Sequence, residues 1–170
     1  GSGLYMITDN AYQSLFLVYD HGVIVVDAPP NYAARLPKAI AEVTDKSITH
    51  VIYSHSHLDH IGGTKALGGK PIIVGNEDTL RLLKRTADPN RPSPTVTFAD
   101  RYTLQAGDQR LELSYHGNAH EPGNIFIYAP AQRVWSVIRD FNALPQWHPL
   151  IAESRIEGNA ASDRVGCIRN

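Results

Sequence analysis

His55-Ser56-His57-Leu58-Asp59-His60, followed by Ile61 and the pair Gly62-Gly63, decides how this chain is organised. It comes directly after THVIYS (49–54), whose β-branched and aromatic residues predict a buried strand. Strand ends in layered α/β proteins are where ligand sites form. Two imidazoles two positions apart at such an end, His55 and His57, can converge on one cation once the loop turns. Asp59 and His60 would then project to the other side and serve a second cation. Imidazole and carboxylate together suit a borderline metal such as Zn²⁺. The glycines let the backbone pass close to a metal without a Cβ clash. A lone histidine is usually an ordinary polar residue, but three with an aspartate in six positions form a ligand pattern.

Working outward, YMIT (5–8), QSLFLVYD (13–20) and VIVVDA (23–28) predict short strands, with a hairpin turn at Asp20-His21-Gly22. VIVV is apolar on both faces, as in a buried strand. Asn31 is placed to cap a helix running to about Asp45, with Pro37 tolerated only in its first turn. Beyond the histidines, KPIIVG (70–75) predicts a strand. NEDTLRLLKRTAD (76–88) predicts an amphipathic helix with Leu80, Leu83 and Ala87 on one face. The Pro-rich DPNRPSP (88–94) predicts an exposed loop. RYTLQ, RLELSY and NIFIYA alternate as strands of a second sheet. Strands, then βα units, then strands again predict an α/β protein of two sheets with helices outside.

A second cluster, His116-Gly-Asn-Ala-His120-Glu-Pro-Gly, lies between RLELSY and NIFIYA. Paired with the first, it supplies the third imidazole that a catalytic His₃ zinc site needs, leaving a fourth position to water. Whether His116 or His120 provides it is open at this level. The 170 residues carry 16 Lys+Arg against 17 Asp+Glu, so a strongly basic nucleic-acid binder and a polybasic membrane arm are excluded. No run reaches the roughly 18 apolar residues of a membrane span. Cys167, the single cysteine, excludes an intrachain disulfide and a Cys-built zinc site. Gly1-Ser2-Gly3 carries no targeting information.

HSHLDH resembles the HxHxDH signature of the metallo-β-lactamase fold superfamily, and the strand ending in Asp27 and the loop HEPGN resemble its flanking motifs. The resemblance covers residues 4 to about 130. It implies the N-terminal half of an αββα sandwich. It also implies that His55, His57 and His120 hold a first metal, and that Asp59 and His60 belong to a second. Asp27 matches a structural aspartate that supports the metal loop, and His116 matches no family role. The implied cofactor is zinc, one or two ions, with iron and manganese as open alternatives.

The tail differs. In AQRVWSVIRDFNALPQWHPL, Val134, Ile138, Phe141 and Leu144 recur at helical spacing, predicting a helix over about 131–144. With IAESRIEG and DRVGCIRN, the segment resembles the opening of a polyketide-cyclase-like (START-like) helix-grip domain, a short α+β tail. NIFIYAP would serve either family and marks the crossover. The expected division is therefore 1–130, an incomplete metallo-β-lactamase-like domain, and 131–170, the START-like fragment. Arg139 or Asp140 stands where the superfamily supplies a metal-bridging aspartate, and His148 lies too close to replace its last histidine, so a second metal would be held weakly.

The resemblance implies a metal-dependent hydrolase in which a zinc-activated water attacks an ester, thioester, lactone or lactam, with Asp59 orienting that water or accepting its proton. Two alternatives stay open: a catalytically idle metal-binding module, and a small-molecule binder built on the START-like tail. The expected partner is a small-molecule substrate, with no nucleic acid and no membrane. Self-association into a homo-oligomer would cover the face that the missing second half of the sandwich leaves bare.

Overall fold

The computed structural model describes residues 3–132. The chain divides between Ile127 and Tyr128 into two units, and of the second only residues 128–132 are described. The helix expected over 131–144 and the residues Arg139, Asp140, His148 and Cys167 lie outside the described residues, which close with a 3₁₀ turn at Pro130–Gln132.

In the first unit two successive hairpins and three βα-type steps make one six-stranded sheet. Its strands are β1 (Leu4–Thr8), β2 (Gln13–Tyr19), β3 (Gly22–Val26), β4 (Ile48–Ile52), β5 (Ile72–Asn76) and β6 (Val96–Phe98), side by side in chain order. β1, β2 and β3 pair antiparallel, and β3 to β6 run parallel. Crossovers carry the short helices α1 (Leu36–Ala41) and α2 (Leu58–Ile61) and the longer α3 (Glu77–Thr86). A second sheet takes β7 (Arg101–Ala106), β8 (Gln109–Tyr115) and β9 (Ile125–Tyr128).

Alternation along the strands sorts the side chains. Val23, Val25, Val51, Tyr53 and Ile73 join Leu36, Ile40, Ile61 and Leu83 from the helices in one core cluster. Leu17, Ile24, Ile52 and Val74 point to the opposite face of the sheet and are buried as well. A sheet buried on both faces needs a layer on each. The β7–β8 turn meets this second face at Gly107, in the left-handed region, where a Cβ would lie 3.1 Å from the Tyr19 ring.

Three expectations need correction. The helix expected from Asn31 to about Asp45 is a 3₁₀ turn at Ala33–Arg35 followed by the six residues of α1. Asn31 caps nothing, because its amide donates to Asp9 Oδ2 at 3.3 Å, and Pro37 sets the start of α1 instead. The Pro-rich 88–94 segment is a loop but is not simply exposed: Pro94 is buried and the Arg91 side chain is 12% exposed. β6 carried no period long enough to read in the sequence.

Candidate metal centre

The parallel strands β3 and β4 end side by side, and everything in the site hangs from their C-terminal ends. Asp27 follows β3 with φ +58°, a left-handed conformation that non-glycine residues seldom hold and that the surroundings must enforce. Its N–H donates to Ile52 O at 3.1 Å, and its own carbonyl accepts from Ser14 Oγ at 3.1 Å. So fixed, the buried carboxylate reaches across to Ser54, two residues after β4. Oδ1 accepts from the Ser54 N–H at 2.9 Å, and Oδ2 accepts from the Ser54 hydroxyl at 2.5 Å.

That hydroxyl has one proton, and Asp27 takes it. Ser54 Oγ also lies 2.9 Å from His55 Nδ1, so it can only accept there, and His55 carries its proton on Nδ1. Nε2 is left with a bare lone pair. It is buried and has no hydrogen-bond partner among the described residues, which is costly for a polar atom unless a ligand satisfies it. The same carboxylate fixes His60, whose Nδ1 donates to Asp27 Oδ2 at 3.3 Å, leaving Nε2 bare.

A second carboxylate orients His57. Glu121 Oε2 lies 3.0 Å from His57 Nε2, and a carboxylate only accepts, so His57 carries its proton on Nε2 and presents Nδ1. That Nδ1 is 3.1 Å from His120 Nε2. Glu121 Oε1 accepts from the Ser56 N–H at 2.6 Å, while Arg91 Nη1 donates to Ser56 O at 2.8 Å. Ser56, between the two histidines, is thus held at both its N–H and its carbonyl. The HEPGN loop that carries His120 and Glu121 is seated by Ile125 N–H, donating to Ser54 O at 2.9 Å, and by Thr79 Oγ1, donating to Gly123 O at 3.3 Å.

The ligand atoms of His55, His57 and His120 all lie within 4.8 Å of one another, and so do those of Asp27, His55 and His60. The first group could hold one divalent cation. Asp59, on the first turn of α2, belongs to neither group; its charge lies near enough to help raise the pKa of His60. Asp27 therefore stands with the ligand-type residues by distance while its oxygens are occupied by donors. His116 points away, exposed, with Nε2 3.0 Å from Ser114 Oγ. His21 lies in the β2–β3 turn against Tyr19.

Burial, then the neighbouring His60, pulls His55 down to about 4, so it is a neutral imidazole at ordinary pH. The hydrogen bond to Asp27 raises His60 instead. Two residues of this arrangement, Ser54 and Glu121, were not singled out from the sequence. Each adjoins a histidine, His55 or His120, and that adjacency was the available signal.

Residues 8–136 match the family model described as metallo-beta-lactamase superfamily, and the chain belongs to that superfamily. Residues 123–170 match the model for polyketide cyclase/dehydrase and lipid transport. The two matches overlap over residues 123–136, which include NIFIYAP. Among curated relatives, the 2,4-dinitroanisole O-demethylase subunit alpha of Nocardioides sp. is 30% identical over 76% of this chain and 41% of its own length. A metallo-beta-lactamase type 2 of Elizabethkingia meningoseptica is 26% identical over 75% of this chain and 51% of its own. The chain thus spans about half or less of these relatives. A flavo di-iron protein from Thermotoga maritima shares the fold, with TM-score 0.57 and 20% identity over 70% of this chain and 30% of that one. No helix among the described residues is long and apolar enough to cross a membrane.

Proposed function

We propose that this chain is the metal-holding part of a hydrolase, with His55, His57 and His120 as ligands of a first divalent cation. The observation that carries this is His55 Nε2, a buried lone pair without a partner, turned toward two further imidazoles. When bound, the ion would supply a Lewis acid and a water acidic enough to lose its proton near neutral pH.

The protein's own part is to hold and orient. Asp27 and Ser54 keep the His55 lone pair directed inward, and Asp27 keeps His60 Nε2 free on the adjoining side. Asp59, half-buried beside His60, is the group placed to accept a proton from an attacking water or to complete a second ion's shell with His60. Leu58, 55% exposed at the start of α2, offers an apolar surface to a small-molecule substrate. Zinc suits the three imidazoles. Iron is the competing metal, given the flavo di-iron neighbour. Esters, thioesters, lactones and lactams are the substrates to try, together with the aryl methyl ether in the demethylase's name.

The test is metal content per chain in protein purified without chelator, followed by hydrolysis assays on a chromogenic ester, a chromogenic lactam and 2,4-dinitroanisole. One tightly held ion is expected, abolished by His57→Ala and unaffected by His21→Ala. Metal binding with no hydrolysis of any of these substrates would favour the idle module. Equal metal content in wild type and His57→Ala would defeat the ligand assignment.

A further inference from the structure

We propose that Glu121 is a positioning residue for the metal centre: it holds the proton of His57 on Nε2, so that Nδ1 is the atom presented to the cation. The inference rests on the ligand assignment above and adds a residue to it. The His57 side chain is 40% exposed, against a buried His55, and among the described residues no main-chain or hydroxyl relay fixes its ring. Its Nε2 meets one group, Glu121 Oε2, at 3.0 Å. With its proton on Nδ1 instead, the ring would point an N–H at His120 and a bare Nε2 at a carboxylate that cannot donate.

The carboxylate is suited to this. Its side chain is 12% exposed, and its other oxygen is anchored on the Ser56 N–H at 2.6 Å, one residue before His57. It therefore cannot swing away without releasing the peptide that carries the histidine. Being charged, it also makes the imidazole a more basic ligand, as carboxylate–histidine–metal relays do. Glu121 sits next to His120 in the chain, so one loop supplies both an imidazole and the carboxylate that aims another. Arg91 grips the carbonyl of the same residue, Ser56, without touching the His57 ring, which makes it the natural control.

The experiment uses the full chain and Zn²⁺ alone. Zinc affinity is measured by competition with a chromophoric chelator for wild type, Glu121→Gln, Glu121→Ala and Arg91→Ala. The His57 ring proton is followed in the metal-free protein by ¹⁵N-resolved NMR. Glu121→Ala should bind zinc about 10- to 100-fold more weakly, with Glu121→Gln between it and wild type. Wild type should show an exchange-protected His57 Nε2–H resonance that Glu121→Ala lacks and Arg91→Ala retains. A zinc affinity for Glu121→Ala within twofold of wild type would overturn the proposal. So would an equal loss in Arg91→Ala, since Glu121 would then act only by steadying the loop. If Glu121→Ala does not fold, the wild-type spectrum decides, and absence of a protected His57 Nε2–H there refutes the role. Wild type that binds no zinc while keeping this proton would sink the ligand assignment and leave the Glu121–His57 contact standing.

Discussion

Replacing Asp27 with Asn changes one oxygen for an NH₂ group and should alter both the fold and a histidine 28 positions away. Asn has nearly the same shape and tolerates the left-handed conformation at φ +58°. Its oxygen can keep the Ser54 N–H at 2.9 Å. The new amide nitrogen then faces the Ser54 hydroxyl and His60 Nδ1–H, both of which donate to Asp27 now. Hydrogen bonds to a charged acceptor contribute about 1.5–3 kcal/mol each, and a neutral replacement recovers about 0.5–1.5. The His60 bond is long and its side chain is 30% exposed, so it belongs at the low end. The net loss is about 2–3 kcal/mol. The Ser54 hydroxyl must also turn to accept from the amide. It then donates to His55 Nδ1, and the His55 proton moves to Nε2, the atom needed as a ligand. Urea unfolding in the presence of EDTA measures the first effect, and zinc competition the second. Stability within about 0.5 kcal/mol of wild type, the range of an ordinary surface substitution, together with unchanged zinc affinity, would refute the relay.

Gly123→Ala should destabilise by about 2 kcal/mol or more, because φ is +88° and a Cβ would lie 2.7 Å from Thr79 N on α3. Zinc affinity should fall with it, as the same loop carries His120. Ile61→Ala, at a fully buried position on α2, should cost about 2–5 kcal/mol in urea unfolding, and a cost below about 1 would contradict its burial. The metal-free protein should be most stable near pH 6.5 as far as His55 and His60 decide it, with His50, lowered by burial, adding to the acid limb. Below that pH unfolded His55 binds a proton that folded His55 refuses down to about 4, so stability falls with acid. Above it, the stabilisation from His60, whose folded pKa is raised, is lost as pH rises through that pKa. His55→Gln should flatten the acid limb of a urea-midpoint profile and His60→Gln the alkaline one; Asp9 and Asp88, both lowered from 3.8, act below this window.

The sheet was legible because burial forces a pattern. Val23–Val26 and Val51–Tyr53 are apolar on both faces because layers cover both sides of the sheet, and no other environment asks for that. α3 was legible for local reasons: Asn76 accepts from the Asp78 N–H at its start, and Lys84 and Arg85 occupy its last turn. The helix expected at Asn31 failed because the side chain that should cap it is engaged by Asp9, 22 positions earlier. Such a contact exists only after β1 and β2 have folded. The loop 88–94 likewise hides its purpose, since Arg91 acts on Ser56, 35 positions away.

The same divide runs through the candidate metal centre, and it follows from what each residue must supply. A ligand must be one of a few residue types, so His55, His57 and His120 stand out as candidates by identity and spacing. A relay group need only own or lack a proton at the right place. Serine and glutamate are common on any surface, and their names say nothing about which neighbour they meet. Ser54 matters because Asp27 takes its one proton, and Glu121 because it has none to give. Together they settle which nitrogen of His55 and His57 is bare, and the His55–His57–His120 donor set depends on both nitrogens being bare on the same side. The orientation of the rings is thus a property of proton ownership in the loops after β3 and β4 and around Gly123. Removing a proton acceptor there should disable the ligands while leaving every histidine in the chain.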